Sequence, residues 1–203
     1  MNAIILAGGK SSRFGSDKAF IKIRGKVLLI ERQLKLLKKV FKKIIIVTNQ
    51  PHKYKVRGVK IIQDIIKDCG PLGGLYSGLE ESDSFYNFVV SCDMPFLNLD
   101  LIRYMIRLKD GFDVVIPKLK KGFETLFAIY SKNCTLPIYE ILGKVRKVRV
   151  NSDNLRVTNF FKKVKLRKLN EKEIAKFGDP NILFMNINTR EDLALVKKMQ
   201  EIL

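Results

Sequence analysis

Short apolar runs and amphipathic stretches alternate along the first 110 residues. Ala3 to Ala7 is almost wholly apolar, too short for a helix and closed by the pair Gly8-Gly9. Such a run predicts a strand of a parallel sheet, apolar because both of its faces are covered. Val27 to Phe41 carries Ile30, Leu34, Leu37 and Phe41 at helical spacing, with Arg32, Lys35, Lys38 and Lys39 between them. That spacing predicts an amphipathic helix with a basic outer face. Ile44 to Thr48 and Val59 to Gln63 read as further strands, separated by the turn Asn49-Gln50-Pro51, and Asp64 stands at the end of the second. CGPLGGLYSGLEE predicts a loop passing into a helix, with Pro71 at its start and Leu72, Leu75 and Leu79 on one face. Phe88 to Ser91 predicts a fourth strand, ended abruptly by Cys92-Asp93-Met94-Pro95, and Leu99 to Leu108 another helix.

The second half is less regular. Asp113 to Pro117 and Leu126 to Tyr130 predict strands around a basic turn, and Ser131 to Leu142 a helix interrupted by Pro137. Lys144 to Lys168 is strongly basic and of mixed periodicity, with no assignable element. Leu183 to Asn188 predicts a last strand, and Thr189 caps a helix running to Leu203, with Glu191 and Asp192 near its positive end. Strands alternating with helices imply an α/β domain of three layers, α/β/α, around a mostly parallel twisted sheet. No linker, repeat or low-complexity block divides residues 1–203, so the expectation is a single domain.

Composition changes this picture only slightly. The chain has 203 residues, 46% of them hydrophobic, enough to bury a full core. No apolar run approaches the ~18 residues that a membrane helix needs, and the N-terminus lacks the charged start and apolar core of a signal peptide. A cytoplasmic protein without membrane association is therefore expected. Cys69, Cys92 and Cys134 have no paired spacing and read as reduced, structural thiols. The net charge of +19 favours an acidic ligand of some kind.

Candidate chemistry concentrates where the first strand ends. Gly8, Gly9, Ser11, Ser12 and Gly15, interleaved with Lys10, Arg13 and Lys18, form a loop whose backbone N–H groups can approach an anion closely. It is not a P-loop, since the first glycine of GxxxxGK[ST] would fall on Ile4. Nor is it a dinucleotide fingerprint, because the glycines are adjacent and the segment after Gly15 is not helical in pattern. In a parallel sheet ligands bind beyond the C-terminal strand ends, and this loop, Asp64 and Asp93 all fall on that edge. Asp93, held between an apolar strand and Pro95, suits Mg2+ shared with a substrate phosphate. The one histidine, His52, lies in a polar loop, and nothing here suits triad or histidine chemistry.

LAGGKSSRFGSDKA resembles the nucleotidyltransferase signature LAGGxSxRxGxDK. Together with GPLGGL, VVSCDMP and FMNINTRED, in this order from Leu6 to Asp192, it is similar to the molybdenum cofactor guanylyltransferase family. The resemblance implies a Rossmann-like nucleotidyltransferase fold and transfer of GMP from GTP to molybdopterin, releasing pyrophosphate. It implies a GTP-binding half over residues 1–110 and a pterin-facing half over 111–203. Leu6, Ala7 and Gly8 would contact the guanine through their backbone, Lys18 the phosphates, Asp64 the nucleotide, and Asp93 would ligate Mg2+ and GTP. Arg13 joins Lys18 and Asp93 as a catalytic residue that neutralises charge, and Asn186 and Asn188 would face the pterin. The family's asparagine at the second strand end aligns with Val47, leaving the role of the nearby Asn49 open. Pterin-delivery proteins and apo-molybdoenzymes are the implied protein partners. Rival readings are a relative using CTP or a sugar-phosphate acceptor, disfavoured by Gly8 and GPLGGL, and a basic nucleic-acid-binding protein. The basic runs at Lys144–Val150 and Lys162–Lys168 prompt the last, but neither is interleaved with aromatic residues as a single-strand platform would be.

Overall fold

A computed structural model describes residues 1–8, 18–24, 27–147 and 155–202. The strands are β1 (Asn2–Leu6), β2 (Lys22–Arg24), β3 (Val27–Leu28), β4 (Ile44–Val47), β5 (Lys60–Ile62), β6 (Tyr86–Ser91), β7 (Val114–Leu119), β8 (Gly122–Phe123), β9 (Phe127–Ser131) and β10 (Leu166–Leu169). The helices are α1 (Leu29–Leu37), α2 (Gly70–Glu81), α3 (Leu99–Arg107), α4 (Thr135–Lys147), α5 (Glu171–Ile174), α6 (Pro180–Leu183) and α7 (Arg190–Ile202). One mixed sheet runs in the order β10-β7-β9-β6-β1-β4-β5, with β8 attached to β7, and β2 and β3 form a separate antiparallel ribbon. β1 pairs in parallel with β4 and β6, β4 with β5, and β7 with β10, whereas β9 is antiparallel to both of its neighbours.

Side chains of β1 alternate between two cores, as the pleat requires. Ala3 and Ile5 pack with Ile30, Leu34 and Leu37 of α1 and with Leu101, Ile102 and Met105 of α3. Ile4 and Leu6 pack on the opposite face with Leu72, Leu75 and Leu79 of α2 and Ile138 and Leu142 of α4. The expected three layers are thus present. A smaller core of Ile21, Ile23, Leu29, Phe96, Ile187 and Val196 fastens the β2–β3 ribbon to α7. Among the described residues, no helix is long and apolar enough to cross a membrane. Cys69, Cys92 and Cys134 are buried and form no disulfide. Burial, with the charge of Asp113 nearby, pushes the Cys134 thiol up to about 12, so this sulfur stays protonated and inert.

Several elements differ from the sequence expectation. The helix expected from Val27 starts at Leu29, because Val27–Leu28 pairs with β2, and Glu31 accepts the Leu28 N–H at 3.1 Å as an N-terminal cap. Pro137 does not interrupt α4: it falls in the first turn, where the helix needs no N–H donor. Within the basic stretch from Lys144, the described residues form the end of α4, a 3-10 segment Val157–Lys163 and strand β10, while residues 148–154 lie outside the described residues. No strand forms at Leu183 to Asn188. Asp179 accepts the Asn181 N–H at 2.8 Å and Pro180 opens a helical turn, so Asp-Pro starts α6 and the chain beyond it is irregular.

Candidate functional site

The chain leaves β1 for β4 and β5 on one side, then crosses to place β6 on the other. β1 is therefore the topological switch point, and the crevice beyond its C-terminal end is where such sheets bind ligands. Leu6, Ala7 and Gly8 lie there, with the Ala7 N–H donating to Val47 O at 2.8 Å and Cys92 N–H to Leu6 O at 3.0 Å. Arg13 lies outside the described residues. Lys18 opens a 3-10 turn, Lys18–Phe20, but its side chain lies outside the description.

On the β4–β5 side the strand ends build a polar corner. Asn49 Nδ2 donates to Asp64 Oδ2 at 3.1 Å. A methyl placed on Gly8 would stand 3.9 Å from the same Asn49 amide. One placed on Gly74 would stand 3.4 Å from Leu6 Cδ2 and 3.6 Å from Asp64 Oδ1, so α2 and these strand ends meet backbone to side chain. Ser77 ties the loop after Asp64 to α2, accepting the Ile65 N–H and donating to Gly73 O, both at 2.8 Å. Partial burial raises the Asp64 carboxyl above its ordinary value, and the charge of Asp68 adds to this, against the opposing Asn49 hydrogen bond. Asn49 thus stands in this corner beside Asp64, while Val47 is buried in the core.

On the other side, Asp93 follows β6 in a turn clamped from two directions. The buried amide of Gln33 on α1 donates to Ser91 O and Met94 O, both at 2.9 Å, gripping the carbonyls that flank Asp93. Ile187 N–H donates to Asp93 O at 2.9 Å while its side chain is locked in the ribbon core. Asp192 then accepts the N–H groups of Asn188 and Thr189, each at 2.8 Å, and Thr189 Oγ accepts the Asp192 N–H in return at 3.1 Å. This reciprocal cap fixes the start of α7 and the FMNINTRED segment beside Asp93. Asp93, Asn186 and Asn188 consequently share a cleft of about 250 Å3 with Ser91, Glu124 and Thr125. Sequence reasoning missed Gln33 and gave Glu124 no role, although the stretch Glu124 to Tyr130 (ETLFAIY) loosely fits the related family pattern. A buried glutamine on an amphipathic helix has no local signal, and Glu124 follows a basic turn.

The donor set of this cleft is hard: the Asp93 carboxylate at the strand end, one oxygen of which is shielded from solvent, and the Glu124 carboxylate, which is paired with Lys121, with hydroxyl and amide oxygens around them. Among the described residues no group of three or more His, Cys, Asp or Glu could hold a metal. The Asp93 carboxylate, with space beside it for phosphate oxygens and water, suits Mg2+, which keeps several waters and seldom takes an all-protein cage. His52 is exposed in the turn after β4. A further depression of about 260 Å3 at the opposite edge is lined by Asn2, Lys42, Lys60, Glu81 and Asp83. Its charges are largely engaged with one another, Lys60 with Glu81 at 2.6 Å and Lys43 with Asp83, and it lies away from every motif residue.

Residues 3–157 match the model of the MobA-like NTP transferase domain. A probable molybdenum cofactor guanylyltransferase of Clostridium perfringens is 37% identical over 210 residues, covering 99% of this chain and 98% of the relative. The chain belongs to the MobA-like NTP transferase family, with the molybdenum cofactor guanylyltransferases. A molybdenum cofactor guanylyltransferase of Syntrophotalea carbinolica is 34% identical, covering 94% of this chain and 88% of its own. The crystal structure of molybdopterin-guanine dinucleotide biosynthesis protein A from Archaeoglobus fulgidus superposes with a TM-score of 0.80. It covers 100% of both chains at 22% identity, a likeness of fold. Membership in this family accounts for the glycine-rich sequence after β1.

Proposed function

We propose that this MobA-like transferase moves GMP from GTP onto the terminal phosphate of molybdopterin, giving the guanine dinucleotide form of the cofactor and pyrophosphate. One observation carries the reading. A single sheet edge joins a polar corner at Gly8, Asn49 and Asp64 to a separate cleft at Asp93, Asn186 and Asn188, with the C-terminal end of β1 between them. That layout suits two substrates meeting at a phosphate. In this reading Leu6, Ala7 and Gly8 bind the guanine through backbone groups, and Asp64, oriented by Asn49, contacts the nucleotide. Arg13 and Lys18 neutralise the triphosphate, while Asn186 and Asn188 hold the pterin side. Residues 1–110 form the GTP-binding half and 111–203 the pterin-facing half. Asp93 would hold Mg2+, and when bound there the ion supplies positive charge to the phosphate oxygens.

A phosphate oxygen of molybdopterin attacks the α-phosphorus of GTP. A P–O bond forms as the bond to the leaving pyrophosphate breaks. The nucleophile is already an anion near neutral pH, so no side chain need take its proton. The chain's task is alignment and charge neutralisation. Pterin-delivery proteins and apo-molybdoenzymes complete the set of partners. Three buried thiols suit the reducing cytoplasm that this reading adopts. The test is incubation with each labelled NTP, Mg2+ and metal-loaded molybdopterin, scoring pyrophosphate. Molybdopterin-dependent release with GTP supports the reading. Release with CTP instead, or only with a sugar phosphate as acceptor, replaces it.

A further inference from the structure

The cleft beside Asp93 contains a carboxylate that the reaction above does not use. Glu124 sits between β8 and β9, its N–H donating to Pro117 O at 3.1 Å and its carbonyl accepting the Phe127 N–H at 3.0 Å. Its side chain is only 14% exposed. Among the described residues its one side-chain partner is Lys121 Nζ at 3.0 Å, on a lysine that is itself 56% exposed. A carboxylate so far withdrawn from water, held by a single solvated cation, is costly unless a ligand completes it.

Position along the sheet edge says which ligand. From Glu124 at the start of β9, the order runs through β6 with Asp93, β1 with Gly8, and β4 with Asn49, to β5 with Asp64. Four interstrand steps of ~4.8 Å separate the two ends by ~19 Å. With the nucleotide corner at one end and the phosphates at the centre, Glu124 lies at the acceptor end. The cleft there is lined by Asn186 and Asn188 and, on its apolar side, by Phe123, Met94 and Leu126. Lys118 Nζ stands 4.6 Å from the Phe123 ring centroid and Lys168 Nζ 5.9 Å, so positive charge borders this wall.

A pterin presents an exocyclic 2-amino group and the adjacent ring N3–H as two parallel donors. Two oxygens of a carboxylate match that pair, as they match the fork of an arginine. We infer that Glu124 is the residue that reads the 2-amino-pyrimidinone edge of the acceptor pterin in this cleft. The inference rests on the guanylyl-transfer reading and adds to it a specificity residue. Guanine carries the same donor pair, so the experiment has to tell one head group from the other.

The wild type, Glu124→Gln and Lys121→Ala are titrated with fluorescent 6-carboxypterin, with 6-carboxylumazine, which has oxygen in place of the 2-amino group, and with a fluorescent GTP analogue. The wild type is expected to prefer the pterin over the lumazine by about 10- to 100-fold, the worth of charge-assisted hydrogen bonding. Glu124→Gln should bring that preference to within about twofold and leave GTP-analogue affinity within about twofold. Lys121→Ala should keep the preference. A Glu124→Gln protein that still prefers the pterin overturns the inference while leaving guanylyl transfer intact. Equal losses for pterin and GTP analogue overturn it by assigning the carboxylate to guanine, and a matching loss in Lys121→Ala overturns it by making the ion pair the cause. A wild type that binds the GTP analogue but shows no pterin preference removes Glu124's role. If it also lacks molybdopterin-dependent pyrophosphate release, the reading of the reaction falls as well.

Discussion

Two glycines one turn apart on α2 should respond oppositely to the same added methyl. Gly74 and Gly78 both lie inside Gly70–Glu81, so replacing either by alanine gains the same helix propensity, about 0.8–1 kcal/mol. That term cancels between the two variants. What differs is the space. A methyl on Gly78 would stand 2.6 Å from Ile4 Cγ2, 3.2 Å from Ile4 Cδ1 and 3.3 Å from Val47 Cγ2. Ile4 is fully buried on the central strand and β-branched, so its methyl cannot swing aside without leaving its rotamer. Overpacking of this kind costs about 1–3 kcal/mol. A methyl on Gly74 meets Leu6 Cδ2 at 3.4 Å, the far end of a flexible side chain, and fits.

In a domain of this size 1 kcal/mol moves Tm by about 2–4 °C. Gly74→Ala should therefore melt about 2–4 °C above the wild type, and Gly78→Ala roughly 4–8 °C below Gly74→Ala for an overpacking cost of about 2 kcal/mol. Function should run the other way. The Gly74 methyl lies 3.6 Å from Asp64 Oδ1 and strips water from a carboxylate already raised by burial. A cost of about 1 kcal/mol there weakens GTP binding roughly fivefold, whereas Gly78→Ala, facing Ile4, should leave Kd within about twofold. Thermal melts and a GTP-analogue titration on the same two proteins decide the matter. Equal melting points would refute the packing argument, and an unchanged Kd in a stabilised Gly74→Ala would remove Asp64 from the nucleotide site.

Three further expectations concern the same edge. Asp93→Asn should change stability by about 1 kcal/mol or less yet lower pyrophosphate release about a hundredfold or more, with partial recovery at raised Mg2+; a destabilised but fully active variant would sink the metal assignment. Gln33→Leu removes the donor shared by Ser91 O and Met94 O, so urea unfolding should show a loss of at least about 2 kcal/mol and the Mg2+ needed for half-maximal turnover should rise, an unchanged Mg2+ requirement refuting the positioning role. Asp64 is charged above its raised pKa, so GTP affinity should be full at neutral pH and decline as pH falls through that value; Asn49→Leu removes the hydrogen bond that lowers it and should move the midpoint upward, and a midpoint that stays put would exclude the coupling.

What could be read from the sequence was whatever local pattern determines. β1 was legible because covering both faces of a strand leaves no polar position, and α2 because Pro71 and the spacing of Leu72, Leu75 and Leu79 are local facts. Asp64 and Asp93 were legible as strand-end carboxylates, since a polar residue right after a buried run must stand at the sheet edge. Asn186 and Asn188 were placed by resemblance, but through a strand that does not exist. The Asp179-Pro180 start signal outweighs alternation there, and Ile187 is buried by the ribbon and α7 rather than by strand pairing.

Residues whose roles depend on a partner distant in sequence were the hardest to read. Gln33 follows an amphipathic pattern in which a polar side chain at its position looks solvated. Its burial becomes apparent once β6 turns 58 residues later and presents Ser91 O to it. Glu124 lies in a lysine-rich turn, where a carboxylate reads as one more solvated ion partner, and its withdrawal from water depends on β9 running antiparallel beside β6. That reversal also brings the start of β9 to the edge where β6 ends. A parallel β9 would have carried its start, and Glu124 with it, to the far edge beside the depression at Asn2 and Lys42. Strand direction at one position in the sheet is thus what gives Asp93 an acidic neighbour, and the local sequence around Glu124 does not encode it.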